Sequence, residues 1–398
     1  MKKALLAFSG GLDTTFCMPY LQEKGYEVTT ITVNTGGFTK EELEKIEAKS
    51  KKLGAVEHIF IDAVDEFYED FVKKVVWANY LRGGSYPACV GPERVVAAKT
   101  IAEVAKEKGI HTVVHGSTGA GNDQIRFDLC LRAILPEVEI IAPIMDEQLT
   151  RAQEVEYLKE RGIEVDVGAK DYSVNVGVLG TTIGGKETGT TESLPPDDVF
   201  PFVKPLKECG DGVKMTLKFE KGEVVEVNGE AIVGVPMIQK IRKIAEDNGV
   251  GKGSHLGTTI LGIKGRIVFE AAAMKVIIAA HTELEKSVLT SKQVFWKNHL
   301  GTVWGDMVHE GLYFDPVITD IEAMMQSSQE TVSGEVYINL VKGNVYLIGS
   351  KSKFSLMDSS IASYGEENAF WDGRDAQGFA KIYGLEGVIA NHKRKGII

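Results

Sequence analysis

Five apolar residues, Ala4 to Phe8, run directly into Ser9-Gly10-Gly11 and then into a helical pattern from about Asp13 to Lys24. A short buried strand that turns through glycines into a helix is the opening unit of a parallel sheet with crossover helices. The rhythm continues with an apolar run at Val28 to Val33, a charged helix from about Lys40 to Leu53, a strand at Val56 to Ile61 and a helix from about Val64 to Tyr80. A helix from about Glu93 to Lys108 precedes the strand Thr112 to His115, and Glu139 to Pro143 adds another strand. Repeated βα units of this kind predict an α/β fold: a doubly wound parallel sheet whose ligands gather at the carboxyl ends of the strands.

After about Asp166 the texture changes. The Gly/Thr-rich stretch Gly177 to Thr191, ending in Ser193-Leu194-Pro195-Pro196-Asp197-Asp198, reads as loops between domains. Val213 to Phe219 and Val224 to Val227 predict one hairpin, and Val336 to Leu340 with Asn344 to Ile348 a second around Lys342-Gly343. A long helix is expected from about Glu270 toward His299, which makes this second domain α+β. The segment from about Ala376 to Lys395 is helical in pattern and ends in the basic run His392-Lys393-Arg394-Lys395, as suits a helix C-terminus.

Charge and cysteine content narrow the function classes. Acids outnumber bases 56 to 45, and the net charge of −11 argues against a nucleic-acid partner, which needs a basic footprint. Cys17, Cys89, Cys130 and Cys209 lie far apart, with no C-x-x-C pair, so no zinc ribbon or disulfide framework is indicated and a reducing compartment fits. The opening apolar run stops at Ser9-Gly10-Gly11 rather than continuing as a leader, and no stretch approaches the roughly 18 apolar residues of a membrane span. A cytoplasmic protein with no membrane partner is expected.

Two loops carry the chemistry. The first, Ala7-Phe8-Ser9-Gly10-Gly11-Leu12-Asp13-Thr14-Thr15, joins a strand to a helix N-terminus. Its glycines let backbone approach an anion, its hydroxyls donate, and the helix adds free N–H groups, which together make a pyrophosphate cradle. It lacks the Gly-Lys-Ser/Thr ending of a Walker A loop and the G-x-G-x-x-G of a dinucleotide site. The plainer alternative is a tight turn with Asp13 capping the helix. The second loop, His115-Gly116-Ser117-Thr118-Gly119-Ala120-Gly121-Asn122-Asp123-Gln124-Ile125-Arg126-Phe127, follows strand Thr112 to His115 and opens at the same sheet edge. Its hydroxyls, amide, carboxylate and guanidinium suit an amino acid bearing both ammonium and carboxylate. A solvated turn in which Asn122 or Asp123 caps the next helix leaves Arg126 unexplained.

Ser9-Gly10-Gly11-Leu12-Asp13-Thr14 resembles the pyrophosphate loop of ATP pyrophosphatases, which cleave ATP between its α and β phosphates. Over essentially the full length the sequence is similar to the argininosuccinate synthases, most specifically in the second loop. Further similarities are Gly249-Val250-Gly251-Lys252, Gly262-Ile263-Lys264, Phe269-Glu270 and Lys342-Gly343-Asn344-Val345-Tyr346. The resemblance implies an adenine-nucleotide α-hydrolase-like domain over residues 1–165, a synthetase and multimerisation domain over 166–370, and an oligomerisation tail over 371–398 exchanged within a homotetramer. It implies ATP as substrate with Mg²⁺ held mainly by phosphate oxygens, and a ligation of citrulline to aspartate through a citrullyl adenylate. Ala7 to Thr15 would bind ATP together with Val33 beside the adenine and Gly116 against the nucleotide. Thr118, Asn122 and Asp123 would hold aspartate. Tyr86, Gly91, Asn122, Arg126, Ser173, Thr182 and Glu270 fall at citrulline positions, and Ser9, Asp13 and Arg126 would carry catalysis.

The departures from the family lie on the citrulline side. The run Tyr86-Pro87-Ala88-Cys89-Val90-Gly91-Pro92 stands where the usual pattern is Tyr-Leu-Leu-Gly-Thr-Ser, so a serine becomes Gly91. Ser173-Val174-Asn175-Val176-Gly177 replaces the usual Ser-x-Asp-x-Asn, and Ile278 stands where a tyrosine is common. Either citrulline is held by compensating contacts, or the substrate is an N-acylated (succinyl or acetyl) citrulline whose acyl chain uses the added room. A tRNA-thiolating ATP pyrophosphatase would need a basic face and catalytic cysteines, and a nucleotide sensor would need no amino-acid loop.

Overall fold

The computed structural model describes residues 2–119, 121–165, 172–361, 364 and 370–398. They form two compact units, Met1–Lys353 and Phe354–Ile398. Within the first unit, β1 (Lys2–Ala7), β2 (Tyr26–Asn34), β3 (Glu57–Asp62), β4 (Thr112–Val114) and β5 (Glu139–Ile141) build one sheet in the order β3-β2-β1-β4-β5, every pairing parallel. This is the expected doubly wound sheet. Because both faces are covered, its strands read as unbroken apolar runs rather than alternating ones. Ala4, Leu6 and Phe8 pack with Cys17, Met18 and Leu21 of helix Leu12–Glu23 and with Ile46 of helix Lys40–Lys52. Helix Gly91–Glu107, lying along helix Asp123–Ile134, packs against β1 and β2 on the opposite face, as right-handed crossovers dictate. The order reverses between β1 and β4, so the loops that leave these two neighbours diverge and open a crevice.

The later strands are β6 (Tyr172–Val176), β7 (Thr181–Gly185), β8 (Val213–Glu220), β9 (Glu223–Val227), β10 (Glu230–Ala231), β11 (Lys252–Thr258), β12 (Lys264–Glu270), β13 (Gly334–Val341) and β14 (Asn344–Lys351). Both expected hairpins form within the antiparallel sheet β10-β9-β8-β13-β14, against which helix Ala272–Val288 packs. The remaining strands make the sheet β11-β12-β7-β6.

Three expectations change. The stretch Gly177 to Thr191 is not simply connecting loop: Thr181, Thr182 and Ile183 are buried in β7, an inner strand. Its flanking glycines had disguised a β-branched core segment. The glycines serve close approach instead, since a Cβ on Gly180 (φ +154°) would lie 2.5 Å from the Glu270 carbonyl oxygen. The long helix expected from Glu270 is two helices, Ala272–Val288 and Ser291–Glu310, divided where Thr290 and Gln293 form a reciprocal capping box. Glu270 itself ends β12. Finally, the helix expected over Val64 to Tyr80 carries a π turn at Tyr68–Val72 and stops at Trp77.

The domain limits expected at 165/166 and 370/371 border residues 166–171 and 365–369, which lie outside the described residues, as does Ala120 of the second loop. The second unit carries helices Gly373–Tyr383 and Leu385–Arg394, matching the expected helical tail with a break at Gly384.

Candidate active site

The first loop is shaped by its backbone. Gly10 adopts φ +72°, and helix Leu12–Glu23 begins after Gly11 with no side chain capping it. Asp13 is therefore not a cap, and the N–H groups preceding Thr15 have no intrahelical acceptor. Thr15 Oγ1 donates to the Gly11 carbonyl at 2.6 Å, and the Ser9 and Thr14 hydroxyls lie 3.3 Å apart at the loop mouth. Lys49 Nζ donates to the Gly10 carbonyl at 2.7 Å, which ties the loop to helix Lys40–Lys52 and places a cation beneath it. Sequence reasoning missed Lys49, because nothing distinguishes it from the neighbouring exposed lysines.

The second loop is organised by His115. The Ser117 N–H donates to His115 Nδ1 at 3.3 Å, so the ring proton sits on Nε2, which meets Asp128 at 3.1 Å. The imidazole also stacks on Phe127. Gly116 lets the two loops meet: a Cβ there would stand 3.1 Å from the Asp13 Cβ and 3.2 Å from Thr14 Cγ2. We expect Gly116→Ala to raise the KM for ATP several-fold with an unchanged melting temperature. Steady-state kinetics alongside a thermal melt check this.

At the end of the second loop, Asp123 is clasped by two guanidinium groups. Arg94 Nε donates to its Oδ2 at 3.0 Å and Arg126 Nη1 to its Oδ1 at 2.7 Å. Burial raises the Asp123 pKa, but Arg94 and Arg126 outweigh it and hold the carboxyl below its usual range. Arg126, itself buried, also donates through Nε to the His309 carbonyl at 2.7 Å, and its Nη2 lies against the His309 ring. Burial, then the nearby Arg126 and Arg82, push His309 well below the usual histidine range, so its ring stays neutral. Asn122 does not cap its helix either; its Oδ1 accepts from the Ile260 N–H at 3.0 Å, which joins the loop to the β11–β12 connection.

Ser9, Gly11, Asp13, Thr14, Val33, Gly116, Thr118, Asn122, Asp123 and Arg126 all line one cleft of about 740 Å³ at the sheet's switch point. Small-molecule sites typically span roughly 300–1,000 Å³. Of the other residues expected at ATP, Ala7 and Phe8 also line it, whereas Gly10, Leu12 and Thr15 shape the loop from behind. Asn122 additionally borders a smaller cavity of about 210 Å³, lined by Arg82, Tyr86, His255, Arg266 and His309 among others. Tyr86 thus reaches the site from its far side, with its hydroxyl buried and unpaired. Gly91 is buried against His309. Ser173, Thr182 and Glu270 lie on neither lining. Ser173 is exposed on β6, Thr182 is buried in β7, and Glu270 Oε1 accepts from the Val203 N–H at 2.8 Å. Arg94 and Glu93 were missed. Their signal was two adjacent charges opening the otherwise apolar run Val95-Val96-Ala97-Ala98.

The family comparisons agree with this geometry. Residues 3–164 match the model for the arginosuccinate synthase N-terminal HUP domain, and residues 172–390 the model for the arginosuccinate synthase C-terminal domain. The chain belongs to the argininosuccinate synthase family. It is 39% identical to the argininosuccinate synthase of Xanthomonas campestris pv. campestris, over 98% of both chains. It is 38% identical to that of Pyrococcus furiosus, over 99% of this chain and 96% of the relative. The enzyme of Methanocaldococcus jannaschii is 35% identical, over 98% of both. These are ATP-dependent ligases.

Proposed function

We propose that this protein condenses L-citrulline with L-aspartate to argininosuccinate, converting ATP to AMP and pyrophosphate. The observation that carries the reading is a single cleft in which an uncapped glycine-rich helix start faces the Asn122, Asp123 and Arg126 constellation. The ureido oxygen of citrulline attacks the α-phosphorus and pyrophosphate leaves. The α-amino group of aspartate then attacks the ureido carbon of the adenylate, loses its proton, and displaces AMP. No side chain need become covalently attached, and burial pushes the thiols of Cys17, Cys89 and Cys130 up, away from nucleophilic duty.

The residues divide the work by charge. Ser9, Gly11 and Thr14 with the helix N-terminus receive the departing pyrophosphate, and Gly10 and Thr15 shape the loop behind them. Thr118, Asn122 and Asp123 orient aspartate, and Arg126 faces the citrulline carboxylate, with Tyr86 and Gly91 behind it. Among the described residues no group of three or more His, Cys, Asp or Glu gathers as a metal cage. Asp13 lies beside Glu154, whose carboxyl is pushed up to about 7 by burial and then by Asp13, so a cation entering with ATP phosphates would suit Asp13. Mg²⁺ supplies neutralisation of the developing phosphate charge when bound.

The N-acylated alternative is not favoured, because the relatives at 35–39% identity carry the plain argininosuccinate synthase name. We further propose a cytoplasmic homotetramer. Phe379, Ile382 and Tyr383 on the tail helix are 62–79% exposed, which supports a role for that helix in subunit contacts, and four free cysteines fit a reducing compartment. The test is pyrophosphate release from Mg-ATP and L-aspartate, with L-citrulline in one arm and N-succinyl- or N-acetyl-L-citrulline in others. Release dependent on aspartate and plain citrulline supports the proposal. Release only with an acylated substrate, or without aspartate, contradicts it.

A further inference from the structure

Glu93 stands in the first turn of helix Gly91–Glu107 and lines the large cleft, yet it is only 5% exposed. It does not cap that helix, and its Oε1 is buried without a hydrogen-bond partner. An unpaired buried carboxyl oxygen is unfavourable in an empty protein, so its persistence calls for a group that completes it. Its position depends on the residue opposite. A Cβ on Gly177 would stand 1.9 Å from Glu93 Oε1, so the carboxyl occupies space that any other residue at 177 would fill. Gly177 is fixed at the β6–β7 turn by its N–H to the Gly180 carbonyl at 2.9 Å, and Asn175 and Val176 just before it also line the cleft.

Citrulline brings an α-ammonium that needs an acceptor. Glu270 lies on neither cavity lining: its Oε1 is engaged by the Phe202 and Val203 N–H groups, and its Oε2, although also buried and unpaired, belongs to a side chain outside both cavities. Asp123 is already assigned to aspartate in the reading above, and Asp13 stands at the phosphate loop. The geometry points to Glu93 as the residue that takes the α-ammonium of the ureido substrate in this chain, with Gly177 making room for its carboxyl. This assignment rests on the citrulline reading above.

The charged and titratable groups around Glu93 are Arg94 on its own helix, Asp123 across the cleft, and Cys89 and Tyr86 in the preceding loop. From the β6–β7 turn the Val178 N–H faces it. Burial pushes Glu93 up to about 8, opposed by Arg94 and the Val178 N–H and assisted by Asp123. Before substrate binds, the carboxyl is therefore mostly protonated at neutral pH, and it ionises as the ammonium arrives. Citrulline binding near pH 7 releases a proton, and the KM for citrulline falls as pH rises through about 8.

The test uses the full-length enzyme and its Glu93→Gln, Gly177→Ala and Glu270→Gln variants. Each is assayed with L-citrulline and with 5-ureidopentanoate, the same chain without its α-amino group. Glu93→Gln should raise the citrulline KM roughly 10- to 100-fold, the span of one charged hydrogen bond, and erase the preference over the analogue. The KM values for ATP and aspartate should stay as they are. Gly177→Ala, whose methyl displaces the carboxyl, should shift the citrulline KM in the same direction. Calorimetry in two buffers of different ionisation enthalpy should show proton release on citrulline binding for wild type and none for Glu93→Gln. A lost preference in Glu270→Gln with preference kept in Glu93→Gln would overturn the assignment, as would a change confined to kcat or to the KM of ATP or aspartate. Absence of wild-type turnover with citrulline would remove the functional reading itself, and this inference with it.

Discussion

Asp123→Asn should lower kcat/KM for aspartate by roughly 10²- to 10⁴-fold, because two charge-assisted hydrogen bonds of about 1.5–3 kcal/mol each are weakened together. The carboxylate that would receive the substrate ammonium is the one that anchors Arg94 and Arg126, at 3.0 and 2.7 Å. An asparagine keeps one oxygen acceptor and loses the charge. It also leaves Arg126, only 2% exposed, without an ionic partner beside a neutral His309. The side chain of Asp123 is 38% exposed, so solvent screens part of the effect and the chain should remain folded. Since the folded pKa is depressed, the pairing is intact throughout the neutral range and fails only as pH falls into the acid range. Steady-state kinetics at pH 7.5 with aspartate varied would check the magnitude; a loss below threefold would contradict the assignment.

Asp13→Asn is expected to reduce the adenylation rate by roughly 10²-fold, and Ser9→Ala by about tenfold, the range seen when one preorganised charge-stabilising group is removed. Neither change touches the core. The Ser9 hydroxyl meets that of Thr14, and Asp13 lies at the cleft wall beside Glu154 rather than capping its helix. Asp13 is the group best placed to meet a phosphate-borne cation, so its variant should also demand more Mg²⁺ for half-maximal rate. Single-turnover formation of pyrophosphate, followed by quenching with ATP and citrulline present, isolates this step. Unimpaired bursts in both variants would refute the phosphate-loop assignment.

The nucleotide half was legible because it is local. Strand, glycines and helix start are contiguous in Ala4 to Lys24, and a parallel sheet buried on both faces leaves apolar runs that need no partner to be recognised. The second loop was legible for the same reason, since Asn122, Asp123 and Arg126 are neighbours in sequence. What escaped is contributed from a distance. Arg94 reaches Asp123 from helix Gly91–Glu107, His309 arrives from the end of Ser291–Glu310, and Glu93 depends on a missing side chain at Gly177. Glycine-rich composition suggested loop at Thr181 to Ile183, where burial against β12 selects strand. Glu270 and Thr182 were expected at citrulline by resemblance; they lie in the paired strands β12 and β7 and are absent from both cavity linings.

In the proposed reaction the ureido oxygen of citrulline becomes an oxygen of AMP. This is tested most directly by incubating the enzyme with ureido-¹⁸O citrulline, ATP and aspartate and analysing the AMP by mass spectrometry. One ¹⁸O per AMP, with unlabelled pyrophosphate, is the predicted result. AMP without label, or ADP and phosphate in its place, would contradict it.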